Sequence, residues 1–226
     1  MKRALRVGLA MAGAVFATVV YVWVTLPDVR ALASANPTTT AFMALRAREA
    51  DADGGELRHL HEWVAYDQIP QHLRRAVVVS EDDKFFQHEG VDFVQLRRAI
   101  EDSWNNEVPL RGASTITQQL AKNLYLSPVR SPVRKFRELI IARRLEAELS
   151  KERILEIYLN VIEWGDGVWG VGAAAREHFG VPAEALTREQ AALLAGAIIN
   201  PRVLSPSNPP RRLLARQALI LSRLAP

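Results

Sequence analysis

Twenty consecutive residues, Val7 to Leu26 (VGLAMAGAVFATVVYVWVTL), carry no charge. At 1.5 Å per helical residue, about 20 apolar residues cross the ~30 Å hydrocarbon layer of a bilayer. Tyr21 and Trp23 stand near the far end, where amphipathic rings favour the water–lipid boundary. Lys2, Arg3 and Arg6 precede the span, and this placement of charge predicts a cytoplasmic N-terminus. A cleaved leader is the rival reading, because ALASA (Ala31–Ala35) offers small-residue cleavage positions. The apolar core of such leaders is about 7–15 residues, however, and this one is longer. The expectation is an uncleaved single-pass anchor over residues 7–26. Residues 1–6 then lie in the cytoplasm, and everything after Pro27 lies outside the membrane.

The rest of the chain is long enough for one sizeable core, and 49% hydrophobic residues is ordinary for a globular protein. There is no cysteine, which excludes disulfides and thiolate metal sites. The net charge of +4 is unevenly spread: residues 111–153 hold ten Lys/Arg against four Asp/Glu. A basic stretch of that density points to an anionic partner such as phosphate or lipid headgroups. Nucleic acid is a poor candidate, because the anchor puts the basic stretch outside the cytoplasm.

Residues 27–60 have the turn-rich punctuation (NPTTT, DADGG) of a stalk merging into a domain that occupies 61–226. From Trp63 onward the pattern is helical. STITQQLAKNL opens with Thr115 and Gln118 at capping-box spacing. SPVRKFRELIIARRLEAELS begins with Ser131 as N-cap and Pro132 in the first helical position. Ser150 caps the next segment, in which Ile154, Leu155, Tyr158 and Leu159 share one face. TREQAALLAGAII starts with a second capping box, Thr187 to Gln190, and is apolar enough for a buried helix. No useful alternating run is present, so the fold class is all-α. GDGVWG (Gly165–Gly170) matches a dinucleotide fingerprint only in letters, since it follows the helical ILEIYLNVIEW where that fingerprint needs a preceding strand. It is expected to be a glycine-rich turn between helices. The five histidines show no zinc-binding pairing.

Three constellations carry chemistry. In VVVSEDDKFFQHEG (Val77–Gly90), Glu81 ends an apolar run beside Asp82, Asp83, Phe85 and Phe86. Desolvation against the rings and repulsion from the neighbouring acids would raise its proton affinity toward that of a working general base or acid. A solvated helix end explains the same letters equally well. The second constellation is Ser114, Thr115, Thr117, Gln118 and Gln119, followed by Lys122, Arg130, Arg134 and Lys135. These are the side chains that suit a pyrophosphate or phosphate–sugar group. An ordinary basic face is the bland alternative. Third, Glu138 lies at i+3 and i+4 from Lys135 and Arg134, either as a plain surface ion pair or as a carboxylate that orients cations in a groove. Glu156, Tyr158 and Asn160 flank an apolar stripe and are taken as structural.

In this order the pieces resemble one family, the peptidoglycan glycosyltransferases that polymerise lipid II. EDDKFFQHEG is similar to E-D-x-x-F-x-x-H-x-G, GASTITQQ to G-G-S-T-I-T-Q-Q, RKFRE to R-K-x-x-E, and KERILEIYLN to K-x-x-I-L-E-x-Y-L-N. LTREQAALLAGAIINP resembles a later helix of the family. The likeness runs from about Trp63 to about Pro206, and Ala113 replaces the usual second glycine. The anchor, and an end at Pro226, match the monofunctional biosynthetic members rather than those that carry a transpeptidase domain.

The resemblance implies a lysozyme-like, all-α domain with a membrane-proximal lobe, in the periplasm and anchored in the cell inner membrane. It implies Glu81 as general base and Glu138 as a second essential carboxylate. Lys122 and Arg130 are the implied donor-phosphate contacts. Ser114, Gln118, Gln119, Arg134 and Lys135 surround the cleft, and Phe85 and His88 support the Glu81 loop. The implied partners are lipid II, the lipid-linked glycan, membrane lipid, and proteins of cell division or cell-wall synthesis. No cofactor is required by the pattern, with a divalent cation (Mg or Mn) at the pyrophosphate left open. Two rival functions remain on the sequence alone. One is a lysozyme-like glycan-cleaving enzyme with Glu81 as acid, and the other is a non-catalytic membrane scaffold.

Overall fold

The computed structural model describes residues 2–106 and 114–224. Ala113 therefore lies outside the described residues, as do Arg111 and Gly112. The chain begins with α1 (Lys2–Val24), of which residues 6–24 have a mean hydropathy of 2.1 and are almost wholly exposed. This is one helix long and apolar enough to cross a membrane. It ends where α6 (Pro132–Glu148) passes: Arg137 donates to Thr25 Oγ1 (2.6 Å) and to the Thr25 carbonyl (2.9 Å). Arg137 and Arg144 also sit over the Tyr21 and Trp23 rings, at 5.9 and 5.2 Å from the ring centroids.

The segment after the anchor merges with the domain at once. Val29 and Leu32 are buried in the main core. Arg153 donates to the carbonyls of Leu32 (2.8 Å) and Ala35 (3.0 Å) and to Asn36 (2.8 Å). Thr40 then caps α2 (Ala41–Ala52) by accepting from the Met43 amide. Arg46 on this helix pairs with the buried Glu163.

The domain is helical in two groups. In the first, α3 (Gln71–Glu81) packs against α9 (Arg188–Ala197) and α10 (Arg211–Leu224). The small residues of α9 (Ala191, Ala192, Ala195, Gly196) are buried and let its neighbours come close; a Cβ on Gly196 would meet Leu213 at 3.0 Å. In the second group, α5 (Ile116–Tyr125) packs against both α6 and α7 (Lys151–Val161). α4 (Phe93–Asn106) follows α3, and α8 (Gly170–Phe179) lies against α7.

The caps expected from sequence form. Ser131 and Ser150 accept from the amides three residues on, with Pro132 opening α6. Thr187 and Gln190 make a complete capping box on α9. At α5 only half of the box closes: Thr115 accepts from the Gln118 amide, but the Gln118 side chain turns away to Lys135.

One departure from the all-helix reading is a small three-stranded sheet. Its strands are β1 (Leu60–His61), β2 (Glu163–Gly165) and β3 (Val168–Trp169), in the order β1-β3-β2. β1 runs parallel to β3, pairing Leu60 with Val168, and β2 runs antiparallel to it. GDGVWG is thus the turn and second strand of a hairpin rather than a simple turn between helices. Its glycines are needed because backbone passes over them. A Cβ on Gly167 (φ 67°) would lie 2.3 Å from the Arg58 carbonyl oxygen, and one on Gly170 (φ 78°) 2.7 Å from that of Asn160. Asn160 itself clamps Val64 by a reciprocal pair of 2.8 Å bonds to its amide and carbonyl, as suits a structural residue.

Gly170→Ala combines left-handed backbone with a backbone collision. It is expected to lower unfolding stability by about 2–4 kcal/mol, measured by urea titration of the detergent-solubilised protein.

Candidate active site

Glu81 is the last residue of α3, at the seam where the two helix groups meet. The residue after it, Asp82, is buried and decides how the seam closes. Its Oδ2 accepts the amide of Ile116, the first residue of α5, at 3.0 Å. Both of its oxygens face His88 Nε2, at 2.9 and 3.0 Å. The Gly90 amide points at His88 Nδ1 (3.2 Å), so Nδ1 accepts and Nε2 carries the proton given to Asp82. Thr115 Oγ1 returns a 2.7 Å bond to the Gly90 carbonyl. The Glu81 loop and the start of α5 are therefore stitched together by one carboxylate and one imidazole. Phe85 fills the core beneath, with His88 edge-on to it at 6.4 Å and Lys151 Nζ 4.4 Å from its centroid.

Asp82 was expected to raise the Glu81 pKa as a neighbouring like charge; instead its oxygens are committed to α5 and His88. The two phenylalanines also part company: Phe85 is fully buried and Phe86 is exposed on an outer groove with Tyr66, Arg74 and Val78. The partners of Glu81 are polar. Gln119 Nε2 donates to Oε2 at 3.1 Å, and Ser80 Oγ lies 3.3 Å from Oε1. Arg216 of α10, bonded to the Gly196 carbonyl at 3.0 Å, and Lys122 of α5 lie within electrostatic reach. Burial pushes the Glu81 carboxyl above the usual glutamate range, against the opposing pull of Gln119 and these cations.

The cations gather around the second carboxylate. Glu138 is buried, and its two oxygens pair separately with Arg134 Nη1 and Lys135 Nζ, each at 2.5 Å. Lys135 Nζ also reaches Ser114 Oγ and Gln118 Oε1, both at 3.2 Å. That one ammonium therefore draws α5 and α6 together. Arg134 Nε is buried with no hydrogen-bond partner among the described residues. Lys122 follows Gln118 and Gln119 by one turn on α5. Both Glu138 and Glu81 act on it, but burial, reinforced by Arg134 and Lys135, holds its ammonium below the usual lysine range.

Eight of the nine predicted site residues thus fall into two linked sets. Glu81, Gln119 and Lys122 form one; Ser114, Gln118, Arg134, Lys135 and Glu138 form the other. Arg130 is exposed on the α5–α6 connection, with no hydrogen bond or ion pair to either set among the described residues. The Gln119 side-chain amide is engaged with Glu81 at one end and Tyr158 at the other. Tyr158, Ser80 and Arg216 are the contributors that the sequence did not reveal. Tyr158 looked like one more member of an apolar stripe, and Arg216 lies 135 residues from Glu81 in a helix with no chemical signature of its own.

The donor set does not suit a divalent cation held by the protein alone. Both Glu138 oxygens are taken by cations, and no group of three or more acids or histidines converges among the described residues. What the arrangement offers is a partly desolvated carboxylate facing a short row of compensated cations. It can accept a proton on one side while negative charge is stabilised on the other.

Comparison with known proteins gives a consistent result. A family model described as Transglycosylase matches residues 52–225. A protein of Nitrosomonas eutropha named biosynthetic peptidoglycan transglycosylase is 49% identical over 193 residues, covering 84% of this chain and 78% of that protein. Proteins of the same name from an Azoarcus species and from Laribacter hongkongensis are each 48% identical, over 190 and 192 residues. Those alignments cover 84% of this chain and 82% and 83% of the relatives.

Asp82→Ala leaves the Ile116 amide and the His88 ring without their buried acceptor. The expected loss is about 3 kcal/mol of unfolding stability, while Asp82→Asn, which keeps one acceptor oxygen, should lose less in the same urea titration.

Proposed function

This chain belongs to the transglycosylase family and is a peptidoglycan glycosyltransferase, and from that premise we propose that it extends glycan strands using lipid II. The acceptor is the 4-hydroxyl of lipid II, the donor is the lipid-pyrophosphate-linked glycan, and undecaprenyl diphosphate is released. Glu81 takes the proton of the attacking hydroxyl. The oxygen forms a new bond to the anomeric carbon as the bond from that carbon to the pyrophosphate oxygen breaks. The electron pair leaves with the pyrophosphate, whose growing charge is met by Lys122, Arg134 and Lys135, with Arg130 reaching in from its loop. The charge logic parallels that of an inverting glycosidase, with a sugar alcohol in place of water.

The observation that carries this reading is that neighbouring residues of α5 serve both carboxylates: Gln119 donates to Glu81, and Gln118 meets the Lys135 ammonium that pairs with Glu138. The base and the leaving-group cations are thereby held by one helix. A glycan-cleaving enzyme, whose leaving group is a neutral sugar, has no use for the cations. Glu138 is assigned the task of keeping Arg134 and Lys135 in place, since each of its oxygens holds one of them. No step is routed through a metal.

The apolar helix supports membrane association, and we assign the catalytic domain to the periplasmic side from the basic residues in the first two turns of α1, ahead of its apolar span. An anchor of this kind confines the enzyme to the plane of its lipid substrate and raises the effective concentration of both. Assembly with cell-division or cell-wall synthesis proteins belongs to the same proposal and rests on the family alone.

Glycan formation from purified lipid II tests the roles. Glu81→Gln should lower turnover by about 10²- to 10⁴-fold, and Lys122→Ala comparably, with melting curves near wild type. Equal rates for Glu81→Gln and wild type would remove Glu81 from its role. The pH profile carries a second check. The base must be ionised, so activity falls as pH drops through a carboxyl value raised above the ordinary glutamate range. The cation must be protonated, so activity falls again as pH rises through an ammonium value lowered below the ordinary lysine range. The expected profile is a bell narrower than unperturbed groups would give.

A further inference from the structure

Tyr158 is a fully buried phenol on α7, and its hydroxyl donates to Gln119 Oε1 at 2.8 Å. The backbone of Gln119 is already fixed: its amide bonds to the Thr115 carbonyl (2.9 Å), and its carbonyl accepts from Asn123 Nδ2 (2.8 Å). The remaining freedom is rotation of the side-chain amide. One rotamer sends Nε2 to Glu81 Oε2; the half-turn alternative sets an oxygen lone pair against a carboxylate. A donor aimed at Oε1 favours the first. We propose that Tyr158 is a positioning residue for the reaction, holding the Gln119 amide so that its NH2 end stays on Glu81 and keeps that carboxylate ionised and in place. The inference rests on the reading of Glu81 as base.

Other groups around Glu81 do not duplicate this contact. Arg216 from α10 touches Glu81 only by way of Ser80, to whose Oγ its Nη2 donates at 3.4 Å, Lys122 from α5 acts through space, and Asp82 is committed to α5 and His88. Ser80 Oγ is shared between Glu81 Oε1 (3.3 Å) and the Ala195 carbonyl (3.4 Å), so it is a divided donor. α9 contributes only that carbonyl. Gln119 is the shorter contact, and Tyr158 is its support. Burial pushes the phenol well above the usual tyrosine range, so the hydroxyl keeps its proton, and its role as donor, across the whole working pH.

The test is the pH dependence of glycan formation by the full-length protein in detergent–lipid micelles, with lipid II as probe, for wild type and Tyr158→Phe. Loss of the hydroxyl loosens a hydrogen bond to a charged group. The acidic limb should move upward by about one pH unit, and turnover on that limb should fall about tenfold. The alkaline side and the KM for lipid II should hold. Infrared titration of the Glu81 carboxylate, isolated as the difference between each protein and its Glu81→Gln counterpart, should shift in the same direction without reference to activity. An unmoved limb and an unmoved carboxyl titration in a Tyr158→Phe protein that melts like wild type would overturn the proposal. Should Tyr158→Phe fail to fold, Gln119→Met, which has no amide to orient, must move the limb the same way; an unmoved limb there overturns it equally. A dead Glu81→Gln with an unshifted Tyr158→Phe removes Tyr158 alone. An active Glu81→Gln that retains its acidic limb removes the base assignment, and with it the purpose of the relay.

Discussion

The geometry of the site depends on one buried carboxylate. Asp82 accepts the first amide of α5 and holds His88, and so fixes the distance from the end of α3 to the start of α5. Glu81 is bonded to it in sequence, while Gln119 and Lys122 lie one and two turns into the helix it caps. A helix N-terminus left open at a buried seam would carry unsatisfied amides and a partial positive charge. Asp82 answers both, and in doing so sets Glu81 opposite its amide and cation partners. Precision here comes from an interaction that touches no substrate.

The cation row is built on the same economy. Three basic side chains close together repel one another, and a row made of them alone would lower its own charge by shedding protons or by opening. Glu138, buried beneath Arg134 and Lys135, compensates two of them and leaves Lys122 to balance between Glu138 and Glu81. Arginine is used where a fixed planar donor is needed, and Arg134 keeps a buried Nε free of partners among the described residues. Lysine is used where one ammonium must gather several acceptors. Lys135 does so by meeting Ser114, Gln118 and Glu138 together.

Much of this was legible in the letters because helices declare their ends. Ser131–Pro132, Ser150 and the Thr187–Gln190 box mark three helix starts by local hydrogen bonding alone, and all three form. Glu138 could be placed on a face with Arg134 and Lys135 because i+3 and i+4 positions meet in any helix. What stayed hidden depends on contacts between distant segments. The sheet joins residues 60–61 to 168–169, and strands that short leave no alternating pattern to see. Gln118 abandons its capping box for Lys135, since an ammonium is a stronger attraction than the Thr115 backbone amide its side chain would otherwise accept from. Tyr158 and Arg216 were invisible because a phenol in an apolar stripe and an arginine in an amphipathic helix look the same whether or not a carboxylate waits at the other end.

The clasp between Arg137 and Thr25 ties the top of α1 to the first turns of α6. Arg134 and Lys135 sit within one turn of that clasp on the same rigid rod, a rise of about 3–5 Å. With α1 in a bilayer, those two cations stand at headgroup height by construction. On the proposed function, a pyrophosphate still attached to its isoprenoid tail would meet them without being lifted out of the leaflet.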